Sequence, residues 1–251
     1  MAAADIELIR PDWPAPENVQ AVATTRIGGF SSGPYAALNL GTHVGDDFHS
    51  VEQNRKELVQ VLGIPTAPCW LDQVHGTDVV AVESVRPKVT SPIAADASIT
   101  SVKGITCAIM TADCLPVLFT DRDGRHVAAV HGGWRGLAAG ILENTVEAFT
   151  ACGVSSDELL VWLGPAIGPL AYEVDAAVVT ALGDDDRGAL TPTDSEHWQM
   201  DLYELARLRL AACGVNAVFG GDFCTFAESE QFFSYRRDGI CGRQATLIWM
   251  E

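Results

Sequence analysis

Short apolar segments recur along the chain, each bounded by Gly, Pro or Asp: QAVATTR, DVVAVES, GITCAIMT, CLPVLFT, HVAAVH, LLVWLG, AVFG and ATLIWM. Their length, their richness in Val, Ile, Leu and Thr, and their punctuation predict strands. Between them lie segments whose apolar residues fall three to four apart, the period of a helix with one buried face. Ser50-Val51-Glu52-Gln53 has the form of a capping box and opens a helix predicted to run to about Gly63. From Gly136 to Cys152, residues Leu137, Ile141, Thr145 and Phe149 share one face, with Gly153 as a stop. Asp201-Leu202-Tyr203-Glu204 opens a third helix that ends before Gly214, and a weaker pattern covers about Val174 to Leu182.

Strands and helices do not alternate one for one. The predicted strands at 105–110, 114–119 and 126–131 follow one another with only short connections. This predicts an α+β fold with mixed or antiparallel sheets flanked by helices rather than a doubly wound parallel sheet. The acidic stretch from Gly183 to Gly188 and the following TPTDSEH predict a surface loop. No repeat, low-complexity tract or shift in composition marks a linker, so residues 1–251 are expected to form a single domain.

Composition narrows the function classes. The chain has 251 residues, 48% of them hydrophobic and 20% charged, which excludes a disordered or fibrous protein. Sixteen Lys+Arg against 33 Asp+Glu leave a net charge of −17, a field that repels polyphosphate backbones; no nucleic-acid partner is expected. An anionic substrate would need a local group of arginines. The 7 cysteines are odd in number and contain no CxxC pair, which favours free thiols in a reducing, cytoplasmic compartment. The opening MAAADIELIRPDW lacks the basic-then-apolar order of a signal peptide. The apolar run from Cys107 to Phe119 is broken by Asp113 and Pro116 and is too short to span a bilayer, so no membrane partner is expected.

Against this background QVHG, TADCLP and VHGGWRG stand out. They supply two imidazoles, His75 and His131, and one thiol, Cys114, a donor set suited to a borderline-soft divalent ion, with a fourth position open for chemistry. The intervals of 39 and 17 residues follow from the numbering and are not those of a zinc finger, so only the fold could assemble such a site. The same residues admit other readings: Cys114 as a buried small hydrophobe, or as a thiolate nucleophile with a histidine as base. In HGGWRG a strand ends, two glycines permit close backbone approach, and Arg135 offers a planar fork for phosphate or carboxylate. Arg236, Arg237 and Arg243 form a second positive patch, in FFSYRRDG and GRQ. Arg26 and Asn39 flank a Gly/Ser-rich loop that either lines a pocket or merely connects.

Together, TTRIGGFSSGPYAALNLGTHVGDD, QVHGTDV, ADASIT, TADCLPVLF, HGGWRGLAAGI, GPAIGP–YEV and FFSYRRDG–GRQATLIWM resemble the laccase-domain family, whose members are also described as polyphenol oxidoreductases and as multifunctional purine nucleoside phosphorylases. The likeness runs from about Thr24 to Met250. It implies an α+β fold of packed mixed sheets flanked by helices, resembling the cysteine hydrolase fold. It also implies a metal site of His75, Cys114 and His131, holding zinc or, alternatively, copper, with the same three residues as the catalytic group. The implied activities are phosphorolysis of adenosine, inosine and methylthioadenosine, adenosine deamination and copper-dependent phenol oxidation. Some bacterial members are linked to removing wrongly built peptidoglycan precursors, for which a metal-free cysteine amidase is the alternative. On this reading the partners are a small-molecule nucleoside and phosphate, and the protein is a monomer or homodimer. Arg26, Arg135 and Arg236 are the phosphate candidates, Asn39 a further substrate contact, Asp96 and Asp113 the orienters of the histidines, and Glu173 or Asp72 the general acid. A multi-copper cluster would call for His-x-His pairs, and none of the six histidines forms one. A single copper in the same pocket is compatible with the ligand set. The sequence departs from the family at Leu170-Ala171, where cysteine is common, and at Cys241, where threonine is.

Overall fold

The computed structural model describes residues 5–84 and 92–251. Of the opening segment MAAADIELIRPDW, residues 1–4 lie outside the described residues. The chain begins with strands β1 (Leu8–Ile9) and β2 (Val19–Thr24), followed by helix α1 (Phe48–Leu62). Four short strands come next: β3 (Leu71–Asp72), β4 (Val79–Ala81), β5 (Ile93–Ala94) and β6 (Ala97–Thr100). Then β7 (Thr106–Thr111), β8 (Leu115–Asp121) and β9 (Val127–Gly132) lead into helices α2 (Trp134–Ala139) and α3 (Ile141–Ala151) and strand β10 (Leu159–Leu163). The remainder comprises β11 (Glu173–Asp175), α4 (Ala176–Ala181), β12 (Leu190–Pro192), β13 (His197–Met200), α5 (Leu202–Ala212), β14 (Ala217–Gly220), α6 (Tyr235–Asp238) and β15 (Gln244–Met250).

Two sheets carry the core. One has four strands in the order β1-β2-β15-β7, all antiparallel. The other has six in the order β14-β10-β8-β9-β6-β4, with parallel pairs at its two edges and antiparallel pairs between. Period-two alternation explains the layering. Cys107 and Ile109 of β7, Ile248 and Met250 of β15, Leu118 of β8 and Val127 and Ala129 of β9 meet between the sheets. The alternate residues Ala108, Met110, Leu247 and Trp249 face outward and pack with Leu58 of α1. On the opposite side Val117, Phe119, Ala128 and Val130 pack with Leu137, Ile141, Phe149 and Leu210 of α2, α3 and α5. The molecule is thus helix, sheet, sheet, helices. Strands β7, β8, β9 and β15 are buried on both faces, which is why they read as continuous apolar runs rather than as alternation.

Three local expectations are corrected. Helix α1 starts at Phe48, because Asp47 caps it by accepting from the Ser50 amide; Ser50 is inside the helix, not its cap. The helix expected from Gly136 to Cys152 is two helices, since Gly140 adopts φ 101° and breaks the run. The acidic stretch is a short 3-10 turn, Asp184–Ala189, in which Asp186 is buried against Arg209. Of the following TPTDSEH, Thr191, Pro192 and His197 belong to strands β12 and β13, and residues 193–196 form the exposed loop that joins them. No helix among the described residues is long and apolar enough to cross a membrane.

Candidate metal centre

Three distant parts of the chain meet at one end of the sheet pair. His75 lies in the loop between β3 and β4. Cys114 sits at the corner where the chain leaves the four-stranded sheet after β7 and enters the six-stranded sheet at β8. His131 belongs to β9, paired with Pro116 on β8. The donor atoms of the three lie within 4.8 Å of one another. Cys114 Sγ is 3.8 Å from His75 Nε2. The two imidazoles meet edge to face, centroids 4.6 Å apart.

A single buried carboxylate organises the histidines. Asp96 accepts from the backbone N–H groups of Val74 (3.2 Å), His75 (2.9 Å) and Gly76 (2.6 Å), which holds the QVHG turn with His75 at φ 60°. Its Oδ1 lies 2.7 Å from His131 Nδ1, so that ring carries its proton there and leaves Nε2 for the site. Asp113, the other expected orienter, does not touch the histidines. Held at φ 91°, it accepts from the Thr225 hydroxyl (2.7 Å) and the Arg236 amide (2.6 Å), fastening the 225–236 segment beside Cys114. Gly133 completes the cradle: a Cβ there would stand 2.7 Å from His75 Cδ2 and 3.5 Å from Cys114 Sγ.

Electrostatics favour an ionised thiol. Burial alone would push the Cys114 thiol up, but the charge and hydrogen bonds of His131 and His75 bring it down to about 6. Burial opposes the charged form of His131 too, and is outweighed by the Cys114 thiolate and Asp96, which raise it to about 9. Burial also disfavours the Asp96 carboxylate, yet the hydrogen bonds from His131, Gly76 and His75 hold it below its ordinary range. Two imidazole nitrogens and a thiolate, backed by a carboxylate on the far side of one ring, form a donor set that fits zinc or copper.

The three residues form part of the wall of a cleft of about 400 Å³, whose lining also includes His43, Asp72, Thr111, Tyr235 and Arg243. His43 is disfavoured as a cation first by burial, then by the guanidiniums of Arg243 and Arg55. A second cleft of about 310 Å³ is lined by Trp134, Tyr172, Glu173, His197 and Arg236, among others. Tyr172 is pushed up chiefly by burial and also by the Cys114 charge, while Arg236 and Arg135 act the other way.

The other residues expected at the site are scattered. Arg26 spends its guanidinium on the Ala36 and Ser229 carbonyls and lies over the Phe233 ring. Asn39 is fully buried and bonds Gly41, Asp46 and the Arg243 amide. Arg135 is exposed and stacks on Trp134. Arg236 lines the second cleft with Glu173, stacks over Tyr172 and donates to the Glu173 carbonyl. Asp72 is in the first cleft, exposed. Sequence reasoning assigns no role to His43 or Tyr172 and leaves Arg243 as one member of a patch; the only signal for His43 is a lone imidazole in the loop LNLGTHVGDD.

Comparisons with known proteins place the chain among relatives along nearly its whole length. Residues 20–251 match the family described as multi-copper polyphenol oxidoreductase laccase. A purine nucleoside phosphorylase of Pseudomonas aeruginosa is 51% identical over 247 residues, covering 97% of this chain and 98% of that one. Purine nucleoside phosphorylase YfiH of Escherichia coli is 49% identical over 246 residues, covering 97% and 99%. Among solved structures, a Neisseria meningitidis protein, NMB0706, superposes with a TM-score of 0.90 at 46% identity, covering 97% of this chain and 99% of that one.

Proposed function

This chain belongs to the multi-copper polyphenol oxidoreductase laccase family, and from that premise we propose that it is a metal-dependent purine nucleoside phosphorylase that also deaminates adenosine. The observation that carries the metal part is the convergence of His75, Cys114 and His131 donors within 4.8 Å on the wall of a cleft. The relatives named purine nucleoside phosphorylase support the reaction class.

In phosphorolysis a phosphate oxygen bonds to C1′ as the C1′–N9 bond breaks. The bonding electron pair leaves with the purine, which takes up the proton that phosphate gives up. An ion held by His75, Cys114 and His131 would supply Lewis acidity at the cleft wall. Asp96 fixes the tautomer of His131 and the turn that carries His75, so two donors are aimed before any ligand arrives. Thr225 and the Arg236 amide hold Asp113, and with it the corner bearing Cys114. Asp72 is the carboxyl group in the cleft available for proton transfer to the base. Arg236, which lines the second cleft with Trp134 and Tyr172, and Arg135, stacked on Trp134, offer guanidinium and aromatic faces to a planar base.

The test is to purify the protein without added metal, measure its metal content, and incubate it with adenosine in the presence and absence of phosphate. Phosphate-dependent adenine and ribose 1-phosphate support phosphorolysis, and inosine supports deamination. Neither product, with phenol oxidation only after copper loading, would replace this reading with that of a copper oxidase. Cys114→Ala and His131→Ala should each abolish turnover in a folded protein.

A further inference from the structure

We infer that Arg243, held in place by Asn39 and Gly41, is the phosphate-holding residue of the metal-lined cleft. This rests on the phosphorylase reading and names the residue that receives its second substrate. Charge is the first consideration. Among 33 acidic residues, Arg55, Arg125, Arg187, Arg209 and Arg237 each make an ion pair with a carboxylate. Arg243 makes none among the described residues: its only polar side-chain partners are the Cys241 and Gly242 carbonyls and the Cys241 sulfur, all reached through Nη1. Its guanidinium carbon lies 6.0 Å from the centroid of the Tyr235 ring, its other edge makes no hydrogen bond among the described residues, and Arg243 lines the same cleft as His75, Cys114 and His131. A guanidinium with a free edge matches two oxygens of a phosphate.

The side chain is also built in rather than trailing in solvent. The Arg243 amide donates to Asn39 Oδ1 at 2.9 Å, and its carbonyl accepts from Leu40 at 3.0 Å. Gly41 lies against the stem: a Cβ there would come within 2.9 Å of Arg243 Cγ and 3.2 Å of its Cβ. Both atoms are close to the backbone, so the whole side chain would have to move. His43, in the same cleft, is disfavoured as a cation first by burial and then by the charges of Arg243 and Arg55. Thr111, which lines the cleft and is buried, has a hydroxyl with no partner among the described residues. The arginines expected from sequence are placed less favourably. Arg26 is committed to carbonyls, and Arg135 and Arg236 stack on the aromatic residues of the second cleft.

The test is calorimetric titration of the purified protein with inorganic phosphate, alongside steady-state phosphorolysis of adenosine. The proteins are wild type, Arg243→Met, Arg243→Lys, Gly41→Ala and, as a control at the far end of β8, Arg122→Met. Arg243→Met should weaken phosphate binding and raise the KM for phosphate by about tenfold or more, leaving the KM for adenosine within about twofold. Arg243→Lys should fall between, and Gly41→Ala should weaken phosphate without touching a charge. Arg122→Met should match wild type. Wild-type phosphate binding in Arg243→Met, or no phosphate binding by wild type, overturns the assignment. If phosphate binds in an Arg243-dependent way but no nucleoside is cleaved, the anion site stands and the phosphorylase reading falls. If nucleoside is cleaved with an unchanged phosphate KM in Arg243→Met, the reverse holds.

Discussion

Replacing Asp96 by asparagine tests the organisation of the centre most directly. The carboxylate is fully buried and takes four hydrogen bonds: Oδ2 from the Val74 and Gly76 amides, Oδ1 from the His75 amide and His131. The amide side chain would keep one acceptor oxygen and present an NH2 group where the other stood. Whichever oxygen is lost, two donors lose their acceptor. A hydrogen bond to a charged group contributes roughly 1.5–3 kcal/mol, so the loss should be about 3–5 kcal/mol after some relaxation, a large part of a typical total stability. With His131 no longer held, metal affinity should fall about 10–100-fold. Urea unfolding gives the first quantity and zinc release to a graded chelator the second. The acid limb gives a third. Because folding lowers the carboxyl's pKa below its ordinary 3.8, its contribution is complete above that value and disappears as pH falls through the lower folded one. That part of the acid unfolding should be missing in Asp96→Asn. Unchanged stability and unchanged metal retention in the variant would refute the reasoning.

Three further outcomes are expected. Gly133→Ala, at a backbone conformation open to alanine (φ −68°, ψ 150°), should lower metal retention about tenfold by displacing His75, with little change in unfolding midpoint; full retention would contradict the cradle. Arg209→Met should cost about 3 kcal/mol in urea unfolding, because buried Asp186 loses a bidentate partner and Glu143 a second one; a neutral result would show that the triad contributes nothing. In metal-stripped protein, alkylation of Cys114 followed by peptide mapping should fall off below a midpoint near pH 6, not near the ordinary 9.0, whereas the buried Cys107, pushed up to about 12, should not react; a Cys114 midpoint near 9 would remove the thiolate.

The elements legible in the sequence are those whose burial is complete. Strands β7, β8, β9 and β15 carry no polar face to disguise them, and α5 begins with an Asp201 that caps it as its position suggests. Strands of two residues, such as β3 and β5, have no period to detect. The start of α1 is ambiguous in the sequence because two capping residues compete within four positions, and only geometry decides for Asp47. At the centre, residue types point to His75, Cys114 and His131 and leave open what they do. Asp96 and Asp113 look alike in sequence. They differ because one faces the QVHG turn and the other the 225–236 segment, a distinction made by sheet packing alone. Arg243 joins His43 and Thr111 only because β15 lies beside β7.

That placement of β15 has a consequence for the order of assembly. Residues 244–250 pair with β2 on one side and β7 on the other, so two strands emerging far earlier from the ribosome must wait for a third to fill the gap between them. Until then each exposes an open row of peptide groups, a hazard for nascent chains that cells meet with chaperones. The four-stranded sheet is therefore closed only when residues 244–250 enter between its two older strands.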